Sequence, residues 1–545
     1  MLTRVNGEVI QKSGITCASS RHAPLASLAP RAAEPPAVGR LDCHRRKRTM
    51  KRTLLVFLLV NLILSACAPV SAPTSTPAPS ATPLPTATTT PTSTATPTST
   101  PTAVPTATPT PIPTIQVGNL SVPDPRVTNP ELFDLRNPDA PIPQFVNAMQ
   151  ARGINIEPRT VITELGKNYE TRQGTDEKTY ILTTYTVEGK NGTRYSMGLI
   201  AEKDERGEWR WKGITFLNSL KNLYGIEIGT SVNPADGNYG SSNYRKTAAR
   251  EFSIFKTVGF SPQTFENWPS VPSQQIRFVR EFDKIMYIGA IINHHEIPSS
   301  WNNRQPTNEE VQNFVNERVD TILRSLKEAG GGYVDVVSEA MWYSNGRGWE
   351  NSPFYKLYGR NIIAEIYIKA YQKALELGLK PGKDAVFIYN DYGIELPSPK
   401  SDFVYEELLR TKQIISERLG IAEVPLDVGI QFHVYPSYQS AGYPTAALIN
   451  NLQQEGIVAN INRFKHIGGV HIAELQVNDI EDIDKINDTL NLVIRSGIQG
   501  GVKSIIFYQM LARENLWKSV NPEVFDNQYR RTENYYRILS TILSP

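Results

Sequence analysis

Glu339 closes the β-branched run "YVDVVSEA" from Tyr333, and Glu474 sits within the apolar run "GVHIAELQV" from Gly469. A hydrophobic strand that ends in a carboxylate invites acid–base or nucleophilic chemistry, although a single strand-end glutamate most often only begins a loop. If the fold brings the two to one site, they suit cleavage of a glycosidic bond. One carboxylic acid would protonate the leaving oxygen while the other carboxylate attacked the anomeric carbon. Polar residues end other apolar runs in the same manner: His294, Asn390-Asp391 and His433. No metal is expected at "HHE" from His294, because adjacent histidines on a strand point to opposite faces and no third ligand stands at a familiar spacing. No cofactor is expected either.

The elements that would position these groups alternate in type. Apolar runs begin at Ile226, Phe252, Ile285, Tyr333, Ala385, Leu426, Gly469 and Ser504. Between them lie amphipathic stretches such as "NEEVQNFVNERVDTILRSLKEAG", with apolar residues at three- and four-residue spacing and a terminal Gly as stop signal. Eight strand–helix units imply a parallel sheet closed into a (β/α)8 TIM barrel over residues 224–545, a fold whose chemistry sits at the C-terminal ends of its strands.

Upstream of the barrel the composition changes twice. Residues 115–223 hold "YILTTYTVEG", "RYSMGLIAEKD" and "EWRWKGITFL", read as successive strands of a small α+β domain. Trp209 and Trp211 there could stack on sugars, but tryptophans at strand spacing are more often core. Residues 68–114 are almost wholly Pro, Thr, Ser and Ala, a disordered stalk that cannot bury a core. Residues 50–67, "MKRTLLVFLLVNLILSAC", have the basic start and short apolar run of an export signal. "LSAC" resembles the bacterial lipobox, so Cys67 is the expected lipidation site and the protein an expected surface lipoprotein held to the bacterial membrane. Residues 1–49 fit neither signal nor fold and read as an upstream extension.

Composition narrows the chemistry further. Cys17, Cys43 and Cys67 all precede the globular sequence, which leaves it without a disulfide framework or cysteine chemistry. A net charge of +3, from 57 Lys+Arg against 54 Asp+Glu, gives no field for nucleic acid. The protein is expected to act as a monomer.

In the barrel region "YVDVVSEA" is similar to the "WDVVNEA" motif of glycoside hydrolase family 10, the endo-β-1,4-xylanases; "FIYNDYGIE", "GIQFHV" and "HIAELQV" resemble its "YNDYN", "GxQSH" and "TELD" stretches, in the same order. The resemblance implies a retaining hydrolase of a β-linked polysaccharide such as xylan. It makes Glu339 the general acid/base and Glu474 the nucleophile, with Gln431 and His433 hydrogen-bonding near the nucleophile and His294, Asn390 and Trp517 lining the sugar site. Ser338 replaces the family's Asn before the acid/base and is too short for the same contact to a sugar hydroxyl. Gly289 and Asn293 stand near the positions of a family His and Trp, and the "ENxxK" stretch is missing after the second strand, where Glu266-Asn267 or Lys256 are the available substitutes. These departures bear on which sugar is bound. They leave as alternatives a binding lipoprotein without turnover or a related glycosidase acting on another glycan.

Overall fold

A computed structural model of the protein describes residues 111–232, 241–257, 259–267, 269–341, 348–435, 447–448, 452–477, 483–508 and 524–544; Cys67 and Trp517 lie outside them. The described chain opens with a hairpin of β1 (Thr114–Val117) and β2 (Leu120–Pro123). Helices α1 (Pro141–Ala151) and α2 (Pro158–Leu165), each with Pro in its first turn, lead into an antiparallel meander. Its strands are β3 (Tyr169–Gln173), β4 (Thr179–Glu188), β5 (Arg194–Lys203) and β6 (Trp209–Gly213), paired in that order. "EWRWKGITFL" is not one strand. It stops at Gly213, and α3 (Phe216–Tyr224) starts because Thr215 and Asn218 form a reciprocal capping box that satisfies orphan backbone N–H groups. Trp211 is core, its indole donating to the Pro123 carbonyl at 2.9 Å, and Trp209 packs against the same cluster.

All eight predicted barrel strands form: β7 (Glu227–Val232), β8 (Ile254–Thr257), β9 (Ile285–Ile288), extended after a break by β10 (Ile292–Asn293), β11 (Gly332–Ser338), β12 (Ala385–Tyr392), β13 (Leu426–Gln431), extended by β14 (His433–Tyr435) beside the short β15 (Ala447–Leu448), β16 (Val470–Val477) and β17 (Ser504–Phe507). Neighbours run parallel, and the β13–β16 and β17–β7 pairings close the ring. Around it lie α4 (Asn308–Ala329), α5 (Ile362–Glu376), α6 (Pro399–Leu419), α7 (Gln454–Phe464), α8 (Ile483–Gly500) and α9 (Glu533–Leu543). The fold is a (β/α)8 barrel. In α4, Val311, Val315, Val319, Ile322 and Leu326 bury one stripe, and a Thr307–Glu310 capping box and left-handed Gly330 define its ends.

Two apolar layers result. Val334, Val336, Val337, Phe387 and Ile430 face the helices, whereas Ile254, Tyr287, Ile388, Ala473 and Ile506 fill the barrel interior. The meander and α1 dock on the last helix: Tyr195 Oη of β5 donates to Glu533 Oε1 at 2.7 Å, and the rings of Phe145 of α1 and Tyr536 meet edge to face at 5.0 Å. Among the described residues no helix is long and apolar enough to cross a membrane.

Candidate active site

Alternation along β16 would put Glu474 on the helix side, opposite the interior Ala473. A register shift between Ile472 and Leu475 intervenes, so Ala473 and Glu474 both face inward and Leu475 packs outward. β11 has a comparable irregularity between Asp335 and Val337, after which Val336 and Val337 both face the helices. Bulges re-aim side chains in this way and recur next to active sites. Immediately beyond, Glu339 adopts a left-handed backbone with φ 58°, which disfavours a residue with a Cβ by about 1–2 kcal/mol. Its N–H donates to the Asn390 carbonyl at 2.8 Å, anchoring the turn. Strain held in place by its surroundings is a frequent mark of a functional position.

The surroundings of the two carboxylates differ sharply. Glu474 Oε1 accepts from Lys256 Nζ at 2.7 Å and from Asn390 Nδ2 at 3.0 Å, and its Oε2 faces His433 Nε2 at 3.1 Å. Burial alone would raise this carboxyl, but the Lys256 charge and the His433 contact overcome it and hold Glu474 at about 2. The other His433 nitrogen faces Gln476 Oε1 at 3.0 Å, so donation to both oxygens requires the imidazolium. Burial disfavours that cation, yet the hydrogen bond and charge of Glu474 carry His433 above the ordinary histidine value. Glu339 accepts from Gln431 Nε2 at 3.0 Å. Burial, and then the charge on Glu474, push its carboxyl up to about 7 against the opposing Gln431 bond. At neutral pH and below, one glutamate is therefore ionised and the other protonated, the division of labour that acid-assisted attack requires.

The other expected residues fall in two groups. His433 contacts Glu474, whereas Gln431, expected beside Glu474, donates to Glu339 instead. Asn390 is fully buried, and its amide bridges Glu474 Oε1 at 3.0 Å and Asp335 Oδ2 at 3.1 Å. Ser338 is buried at the end of β11, while Trp517 falls outside the described residues. His294 is only 6% exposed and Glu350 Oε1 stands 3.5 Å from its Nε2; burial and the neighbouring His295 lower it to about 3, so it is neutral. The strand argument about adjacent histidines does not apply, since β10 ends at Asn293 and the two rings sit 3.7 Å apart. His294, His295 and Glu339 present ligand atoms within 4.8 Å of one another, an arrangement able to hold a metal ion.

Of the substitutes proposed for "ENxxK", Glu266 and Asn267 are engaged elsewhere, with Ser299 and Gln263. Lys256 is at the centre of the site instead. Its inward direction was readable from its position two residues after the interior Ile254, but its partners were not. Glu350 and Asp335 were also missed; Asp335 accepts from Tyr287 Oη at 2.6 Å and lies 3.4 Å from Lys256 Nζ.

Known proteins similar to this chain include several xylanases. An endo-1,4-beta-xylanase B of Thermotoga neapolitana is 25% identical over 250 residues, which span 43% of this chain and 61% of that relative. The endo-1,4-beta-xylanase XylE of Penicillium canescens superposes with a TM-score of 0.50 at 15% identity, covering 60% of this chain and 97% of its own. Xylanase 10B of Thermotoga maritima gives 0.49 at 22% identity, over 61% and 98%. The sequence profile of glycosyl hydrolase family 10 matches residues 261–541, and the chain belongs to that family.

Proposed function

We propose that this protein is a retaining endo-β-1,4-glycanase of xylanase type. The observation that carries the reading is the opposed surroundings of two glutamates delivered by different strands, Glu474 beside a buried ammonium and Glu339 beside a neutral amide. In the first step Glu474 attacks the anomeric carbon while Glu339 gives its proton to the departing glycosidic oxygen, leaving a glycosyl ester on Glu474. The ester carries no charge, so the repulsion that kept Glu339 protonated falls. Glu339 then takes a proton from water as that water attacks the same carbon and releases Glu474. The names of the relatives support xylan as substrate, whereas Ser338 and the buried His294 favour a sugar pocket of altered preference. A polysaccharide panel separates these. Lipid anchoring through Cys67 at the cell surface is part of the same proposal and rests on the "LSAC" sequence.

Glu339→Ala is the decisive variant. With a nitrophenyl glycoside, whose leaving group departs without protonation, it should form the glycosyl ester and then stall; azide, which needs no general base, should restore turnover and yield a β-glycosyl azide. A folded Glu339→Ala protein with neither trapped ester nor azide rescue would leave a binding protein as the better reading.

A further inference from the structure

Lys256 is 4% exposed, and its ammonium meets Glu474 Oε1 at 2.7 Å, Asp335 Oδ2 at 3.4 Å and the Ala473 carbonyl at 3.4 Å, with the Tyr287 ring 4.5 Å away. Each of its three N–H donors thus has a protein acceptor, and none is left for a sugar hydroxyl. Any influence on the reaction must pass through Glu474. The two oxygens of that carboxylate are unequally occupied among the described residues: Oε1 accepts from both Lys256 and Asn390, whereas Oε2 has the His433 contact alone.

We propose that Lys256 is a positioning residue that reserves Oε2 of Glu474 for attack and acts on the two halves of the cycle in opposite directions. The inference rests on Glu474 being the nucleophile. In the first half the C1–Oε2 bond forms, the C1–leaving-oxygen bond breaks, and negative charge leaves the carboxylate; the ammonium stabilises the charged starting state and so restrains this step. Oε1 becomes the ester carbonyl and keeps both donors. In the second half water adds to C1, its proton passes to Glu339, and the C1–Oε2 electron pair returns to Glu474. Charge then reappears beside Lys256, which speeds this step.

The test is transient kinetics of Lys256→Gln on a nitrophenyl β-xylobioside. Expected are a burst of about one nitrophenol per enzyme, kcat at least about tenfold below the parent, and kcat/KM within about threefold of it. The acidic limb of the kcat/KM profile should also move to higher pH, which a purely structural lysine would not cause. Removal of Lys256 strands Asp335 as a buried charge; if the single variant does not fold, Lys256→Gln/Asp335→Asn removes both charges and is read the same way. Proportional falls in kcat and kcat/KM, without a burst and with the acidic limb unmoved, overturn the role of Lys256 and leave Glu474 as nucleophile. A parent protein that turns over no glycoside removes both.

Discussion

Glu474 is surrounded by Lys256, Asn390 and His433, all donors, whereas Glu339 has the Gln431 amide and a neighbouring negative charge. The proposed reaction requires Glu339 protonated and Glu474 ionised. The kcat/KM profile should therefore stay level through the acidic range and fall about tenfold per pH unit above about 7, with its lower limb near about 2. Rate profiles on a soluble xylooligosaccharide check this. The same elevation has a stability consequence. Between the ordinary carboxyl value of 4.5 and about 7 the folded protein keeps a proton on Glu339 that the unfolded chain has released, so stability falls as pH rises through that window. Glu339→Gln avoids the loss and should be more stable than the parent by about 1–3 kcal/mol at about pH 8, with no gain at about pH 4. Denaturant melts at the two pH values measure it. Equal gains at both would assign the effect to packing.

At the scale of elements, the barrel strands were legible as apolar runs, but the facing of their last residues was not. Strict alternation assigns Glu474 to the side opposite Ala473, and only the shifted β16–β17 register reverses that. A shift of this kind depends on the partner strand, which no local pattern in "HIAELQV" contains. Neighbouring strands also decide how closely the network packs. A Cβ on Gly429 of β13 would stand 2.8 Å from Asn390 Oδ1 and 3.1 Å from the Ala473 side chain. Gly429→Ala should consequently displace the amide that holds Glu474, destabilising the protein by about 1–3 kcal/mol and lowering kcat beyond any change in KM. Loss of stability with unchanged kcat would show that Asn390 is not needed where it stands.

At the scale of the whole molecule, the meander is part of what keeps α9 in place. Tyr535, Tyr536, Ile538, Leu539 and Ile542 of α9 are buried, and the Phe145 ring and the Tyr195–Glu533 hydrogen bond come from the region before the barrel. A fragment of residues 224–545 would expose aromatic surface and should melt below the 111–545 protein and bind more hydrophobic dye. Equal melting temperatures would make the meander an independent appendage. Anchoring is tested on the full chain: Cys67→Ser should move the protein from membrane to soluble fraction, because lipid chains bind at about 0.8 kcal/mol per buried CH₂. Retention on the membrane would point to an uncleaved signal anchor.

The sequence by itself determined the order of strands and helices, the closed barrel and the presence of a glutamate on each of two distant strand segments, because apolar periodicity, capping residues and chain order are local properties that survive without coordinates. Its family motifs put both Gln431 and His433 near Glu474; His433 contacts Glu474, whereas Gln431 donates to Glu339. What only the tertiary structure decided was which groups favour charge on Glu474 and oppose it on Glu339. Favouring it on Glu474 are Lys256, 218 residues away along the chain, and His433, 41 residues away. Electrostatic coupling acts through distance in space and through burial, and neither can be read from a residue's neighbours in sequence.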